Sequence, residues 1–175
     1  VYYGSSIPQG GCASRPGTCY QAYISRRFNA DYVNLGFSGS ARAEDAIINY
    51  IKGLDMELFV YDYDHNAPTL EHLQATHEKM FLAVRGANPY LPIIMMSRPL
   101  HKSNRTIDDE RRMEIIKRTY ENTKVRGDRN VYFLSGDDLT ELCGNEGTVD
   151  NTHPTDLGFA SMAKKHLDKP ELAKE

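Results

Sequence analysis

Five short apolar runs recur along this 175-residue chain, at Val1 to Tyr3, Tyr32 to Leu35, Leu58 to Tyr63, Ile93 to Met96 and Val131 to Leu134, with segments of helical spacing among them. None of the runs alternates cleanly between apolar and polar residues. A strand buried on both faces has that pattern, so the runs predict a parallel sheet covered on both sides. The intervening segments supply the cover. Tyr20, Tyr23, Ile24 and Phe28 share one helical face, as do Ile47, Tyr50, Ile51 and Leu54, then Leu70, Leu73, Met80, Phe81 and Val84, then Ile115, Ile116, Tyr120 and Thr123. Gly53, Gly86 and Gly127 stand where those helices should stop, and a last helix opens after Pro154 with Phe159, Met162, Ala163, His166 and Leu167 inward. Right-handed crossovers place helices on both faces, so this order predicts a doubly wound, three-layer α/β/α sandwich. One domain is expected over residues 1–169, with 170–175 as a flexible tail.

Composition removes several classes of function. Lys plus Arg number 21 against 24 Asp plus Glu, a net charge of -3 without any basic stripe, which excludes nucleic acid as the partner. No apolar run approaches the ~20 residues of a membrane span, so membrane insertion is excluded as well. The densest charge cluster, Asp108 to Arg112, mixes both signs at helical spacing and reads as a solvated helix face. Cys12, Cys19 and Cys143 are an odd number with no Cys-x-x-Cys pair, which argues against a zinc site or a disulfide framework and leaves a Cys12–Cys19 pair open. The chain starts at Val1 inside a strand, with no initiator Met and no signal-like segment, so an upstream leader or domain is expected.

Ligands of open parallel sheets bind beyond the carboxyl ends of the strands, so the residues following each run carry the functional reading. After the first comes Gly4-Ser5-Ser6-Ile7, after the second Gly36-Phe37-Ser38-Gly39-Ser40, and after the third Asp62-Tyr63-Asp64-His65-Asn66. The loop before the last helix holds Asp150-Asn151-Thr152-His153. A hydroxyl nucleophile, a glycine N–H that can approach a ligand, a neutral amide donor and an acid with an imidazole are the parts of an acyl-transfer site. Each part has an ordinary reading alone: Ser6 as a turn serine, Asp150 or Thr152 as a helix cap before Pro154. Their joint order at successive strand ends is what argues for chemistry. Asp62-x-Asp64 has the look of a magnesium-dependent aspartyl phosphatase, but His65-Asn66 stand where that chemistry wants a small residue and a hydroxyl. A metal site at Asp62 and His65 is a weaker option, and His72, His77, His101 and His166 read as surface or packing residues. No Gly-x-Gly-x-x-Gly or phosphate loop is present.

In these blocks the chain resembles an SGNH hydrolase of the GDSL-like esterase superfamily. The stretch Tyr3 to Gly11, followed by Ser14-Arg15-Pro16-Gly17, is most similar to a bacterial branch that writes Gly-Ser-Ser-Ile for Gly-Asp-Ser-Leu. The resemblance implies a flavodoxin-like five-stranded sheet, Ser6 as nucleophile, His153 as base, Asp150 as its orienter, and Ser6, Gly39 and Asn66 as oxyanion donors. It implies a short-chain, acetyl-type esterase acting on a small-molecule or carbohydrate ester, with no metal and no organic cofactor. Bulky Tyr2, Tyr3 and Tyr63 on strands next to the site, and little chain left over for a lid, favour the short acyl group. Ser5 and Ala67 depart from the usual Asp at both positions, and Asp64-His65 stand where glycines are usual. Those departures motivate the alternative of a non-catalytic module that binds an acylated ligand. Arg15 and Arg98 lie where they can orient a polar or anionic substrate, or brace their loops.

Overall fold

The computed structural model describes residues 1–168; the expected tail, 170–175, lies outside them. Strands β1 (Tyr2–Gly4), β2 (Asn34–Gly36), β3 (Phe59–Asp62), β4 (Ile93–Met96) and β5 (Val131–Leu134) form a parallel sheet in the order β2-β1-β3-β4-β5. The helices are α1 (Ser6–Gln9), α2 (Tyr20–Phe28), α3 (Asp45–Ile51), α4 (Leu70–Ala87), α5 (Ile107–Val125), α6 (Gly136–Leu139) and α7 (Asp156–Leu167). This is the flavodoxin-like order, whose chain reversal at β1 and β3 opens a crevice at the carboxyl edge.

Successive residues of a strand face opposite sides, and the two cores follow from that period. Tyr3, Phe59, Tyr61, Ile93 and Met95 pack against Ile48, Ile51, Leu73, Met80, Phe81, Val84 and Ile116 of α3, α4 and α5. Tyr2, Val60, Ile94 and Met96 pack on the other side against Ile7, Tyr20, Ile24, Leu139, Phe159 and Met162 of α1, α2, α6 and α7. His77 is buried in the first core, where its ring stacks on Tyr61 at 4.6 Å and Nδ1 meets the Thr119 hydroxyl at 2.9 Å.

Three expectations about helix faces are corrected. Tyr50 is 55% exposed and Ile48 is buried in its place; in α3 only Ile48 and Ile51 are buried, little more than one turn, and Tyr50 lies about 100° around the axis from Ile51. Phe28, the last residue of α2, is likewise exposed. The Asp108 to Arg112 cluster is not a wholly solvated face. The Thr106–Asp109 capping box starts α5 there, and Arg112 continues the buried stripe of Ile116, Thr119 and Thr123 at 3% exposure.

Glycine sets how closely the strand ends approach one another. Gly4 and Gly36 are partners at the ends of β1 and β2. A Cβ on Gly36 would overlap the backbone of Gln9, and one on Gly4 would overlap the Asp62 carbonyl. Gly36→Ala is therefore expected to destabilise the chain by ~1–3 kcal/mol through overpacking against backbone that cannot yield. The midpoint of urea unfolding measures it; an unchanged midpoint contradicts the close approach.

Candidate active site

Ser6 is the first residue of α1, and local hydrogen bonding fixes it there. Ser5 caps the helix, its hydroxyl accepting the Ile7 N–H at 3.2 Å, while its own N–H donates to the Asp62 carbonyl at 3.1 Å. The helix closes after four residues at Gly10, which takes φ +93° and returns its N–H to the Ile7 carbonyl at 2.9 Å. Ser5 is fully buried. A neutral hydroxyl suits that position, since it caps without the desolvation cost of a carboxylate.

The partner loop reaches Ser6 from the far end of the chain. His153 Nε2 lies 2.9 Å from Ser6 Oγ, and His153 Nδ1 lies 2.7 Å from Asp150 Oδ2. The other carboxylate oxygen accepts the N–H groups of Thr152 at 3.0 Å and His153 at 2.7 Å. The backbone N–H of His153, and then its ring, hold the Asp150 carboxyl down at about 2. An ionised carboxylate only accepts, so Nδ1 carries the ring proton in this contact and Nε2 is left to accept from Ser6. Asp150 does not cap the last helix; Thr155 does, accepting the Gly158 N–H at 3.3 Å.

The loops after β2 and β3 flank that of Ser6 on the two sides of β1. Phe37 N–H donates to the Gly4 carbonyl and Ser38 N–H to Gln9 Oε1, both at 2.8 Å, which ties the β2 loop to α1. Within it Gly39 takes φ +70°, is exposed, and has an N–H that donates to no group among the described residues. Asn66 ends a single 3₁₀ turn, Asp64–Asn66, and its Oδ1 accepts the Ala41 N–H at 3.2 Å, leaving Nδ2 to donate elsewhere. Ser6, Gly39, Asn66, Asp150 and His153 thus belong to one hydrogen-bonded set of loops at the carboxyl edge.

The remaining candidates are placed differently. Arg15 is exposed beside a short 3₁₀ turn, Pro16–Thr18, next to Ser14, whose N–H donates to Asp156 at 2.9 Å. The Arg98 guanidinium is engaged internally, with Nη1 on Asp109 at 2.7 Å and Nε 3.4 Å from Asp64, so it braces loops. Asp62 and Asp64 do not form the exposed pair a phosphatase needs. Asp62 is fully buried with no hydrogen-bonding partner for either side-chain oxygen among the described residues, and Asp64 is buried against Arg112 at 2.7 Å. Burial, and secondly the charge of Arg98, push the His65 imidazole down to about 4. Among the described residues, no group of three or more His, Cys, Asp or Glu side chains is arranged to hold a metal ion. Cys12 and Cys19 are unpaired. Gln9 and Arg112 escaped the sequence reading. Gln9 looks like any surface glutamine, and Arg112 was hidden in a mixed-charge run.

A doubly wound parallel sheet in the order β2-β1-β3-β4-β5, with Ser6, His153 and Asp150 hydrogen-bonded at its carboxyl edge, has the fold of an SGNH-type hydrolase. The chain belongs to the GDSL-like lipase/acylhydrolase family, which matches residues 1–169. Among solved structures, a Bacteroides ovatus protein termed a GDSL-like lipase is 33% identical, with a TM-score of 0.83 over 98% of this chain and 51% of its own. A salicylyl-acyltransferase of a tetracycline biosynthetic pathway is 21% identical, with a TM-score of 0.80 over 98% of this chain and 53% of its own. An acetyl-xylooligosaccharide esterase from Geobacillus is 20% identical, with a TM-score of 0.69 over 99% of this chain and 93% of its own. The chain spans about half the length of the first two. No curated protein matches it. Among the described residues no helix is long and apolar enough to cross a membrane.

Asp62 yields a prediction separable from catalysis. Burial, and secondly the charge of Asp64, raise its carboxyl well above 3.8, so the folded chain favours the protonated form. Its contribution to stability is complete below the unfolded value and is lost as pH rises toward the folded one. Asp62→Asn is expected to flatten the decline of Tm as pH rises above the unfolded carboxyl value of 3.8. An unchanged slope in thermal scans contradicts this.

Proposed function

We propose that the chain is a serine esterase that removes short acyl groups, acetyl above all, through an acyl-Ser6 intermediate. The observation that carries the reading is the continuous relay from Ser6 Oγ to His153 Nε2 at 2.9 Å and from His153 Nδ1 to Asp150 at 2.7 Å. His153 takes the Ser6 proton as the hydroxyl oxygen attacks the ester carbonyl, then gives it to the departing alcohol. Asp150 holds the ring in the accepting tautomer and stabilises the imidazolium. The tetrahedral oxyanion receives the backbone N–H groups of Ser6 and Gly39 and the Nδ2 amide of Asn66, donors aimed where charge develops. Water activated by the same imidazole then releases the acid and restores Ser6.

Acyl length follows from what lies under the donor loops. Tyr3 and Tyr63 are buried there, their rings 5.9 Å apart, with Tyr3 accepting the Ala43 N–H at 2.8 Å. Both rings are buried in the core rather than exposed at the site, and that packed core favours a short acyl group over a long one. The alcohol side is open, with the His153 and Asp150 side chains 30% and 50% exposed, which suits a bulky alcohol. The Geobacillus neighbour's acetyl-xylooligosaccharide substrate makes a carbohydrate the first alcohol to test. Most strand tyrosines are buried, so exposed Phe37 beside the Gly39 loop is the better stacking surface for a sugar ring.

A fluorophosphonate probe is expected to label wild type stoichiometrically at Ser6 and to leave Ser6→Ala unlabelled. A fold-intact wild type that resists labelling would indicate the binding-module alternative. Asn66→Ala should lower kcat by ~10²–10³ with little change in KM. Acetate p-nitrophenyl esters should turn over faster than octanoate esters; the reverse order overturns the short-acyl assignment.

A further inference from the structure

We infer that Arg112 is a positioning residue for Asn66: one buried guanidinium of α5 grips both sides of the turn that carries the oxyanion amide. The inference rests on the oxyanion role proposed for Asn66. Arg112 Nε donates to the Asp64 carboxylate at 2.7 Å, and Nη2 donates to two backbone carbonyls, those of Asp64 and, at 2.8 Å, Ala67. These are the residues two before and one after Asn66. Inside the grip, the Asn66 and Ala67 N–H groups return to the Tyr63 carbonyl at 2.8 and 3.2 Å, closing the turn. The amide is held from its other end by the Ala41 N–H on Oδ1 at 3.2 Å. Backbone and side chain are therefore fixed by separate partners, and Nδ2 is the free end.

The charges around the grip are balanced. Asp64 also accepts the Arg98 backbone N–H at 3.2 Å and faces the Arg98 Nε at 3.4 Å, while Arg98 Nη1 reaches Asp109 at 2.7 Å. Two cations and two anions thus link the β3 loop, the β4 loop and the start of α5. Stability alone is a weak reason to bury such a pair, because apolar replacements of equal volume are often neutral or stabilising. What a guanidinium adds is direction. Its planar fork aims several N–H groups at fixed angles, which a lysine ammonium cannot do. A displacement of ~1 Å in a catalytic donor costs up to ~10²-fold in rate, so a turn held in this way is one whose position matters to turnover.

The test compares Arg112→Lys in the wild-type and Asn66→Ala backgrounds, with kcat and KM for p-nitrophenyl acetate and Tm for each protein. Arg112→Lys should lower kcat by ~10–10²-fold with KM within roughly twofold, and should lower it less than roughly twofold further once Asn66 is alanine. Asp64→Asn, which keeps the shape and weakens the grip, should repeat the pattern in milder form and carries the test if Arg112→Lys does not fold. Equal losses in both backgrounds, or no loss in wild type, overturn the inference while leaving the oxyanion role intact. An Asn66→Ala rate equal to wild type overturns the oxyanion role and the inference with it.

Discussion

The site depends on the close approach of three backbones at the carboxyl ends of β1, β2 and β3. Gly4 and Gly36 have no side chains, so Asp62 and Gln9 can lie against them, and the hydrogen bonds Ser5 N–H to Asp62 and Phe37 N–H to Gly4 close at 3.1 and 2.8 Å. The loop of Ser6 and the loop of Gly39 inherit their separation from these contacts. That separation is set by main chain meeting main chain.

Three carboxylates within this edge show how environment divides one chemical group into different roles. Asp150 is half exposed, yet the backbone N–H of its own loop and the His153 ring keep it charged. Asp62 is enclosed without partners and is driven toward its neutral form. Asp64 is equally enclosed but is matched by Arg112 and by the Arg98 backbone. Burial does not separate the last two; they differ in the donors their oxygens meet.

Much of the architecture was legible because burial on both faces leaves a plain mark on composition: Ile93 to Met96 and Val131 to Leu134 are strands over the residues their apolar runs delimit. That Ser6, Asp150 and His153 belong together was legible from their places at the strand ends, and the structure brings the three into hydrogen-bond contact. Tyr50 misled because a short helix is covered over one turn only, so equally spaced apolar positions do not share one environment. Arg112 was missed for a converse reason. Its neighbours Asp108 and Arg111 are exposed, and a charged residue inside a charged run carries no mark of burial. The single cue was its place one helical turn before Ile116, at the head of the inward stripe that continues through Thr119 and Thr123.

The sequence by itself determined the alternation of strand and helix, the order of the functional loops, and a set of side chains able to perform acyl chemistry, since these follow from local pattern and residue type. Tertiary structure alone decided that His153 meets Ser6 across 147 positions, that Asn66 gives Oδ1 to the Ala41 N–H, that Asp62 is enclosed without partners, and that Arg98 is engaged by Asp109. The physical reason is that a side chain's role depends on which donors, acceptors and charges the folded chain brings to it. Contacts so distant along the chain leave no local pattern to read.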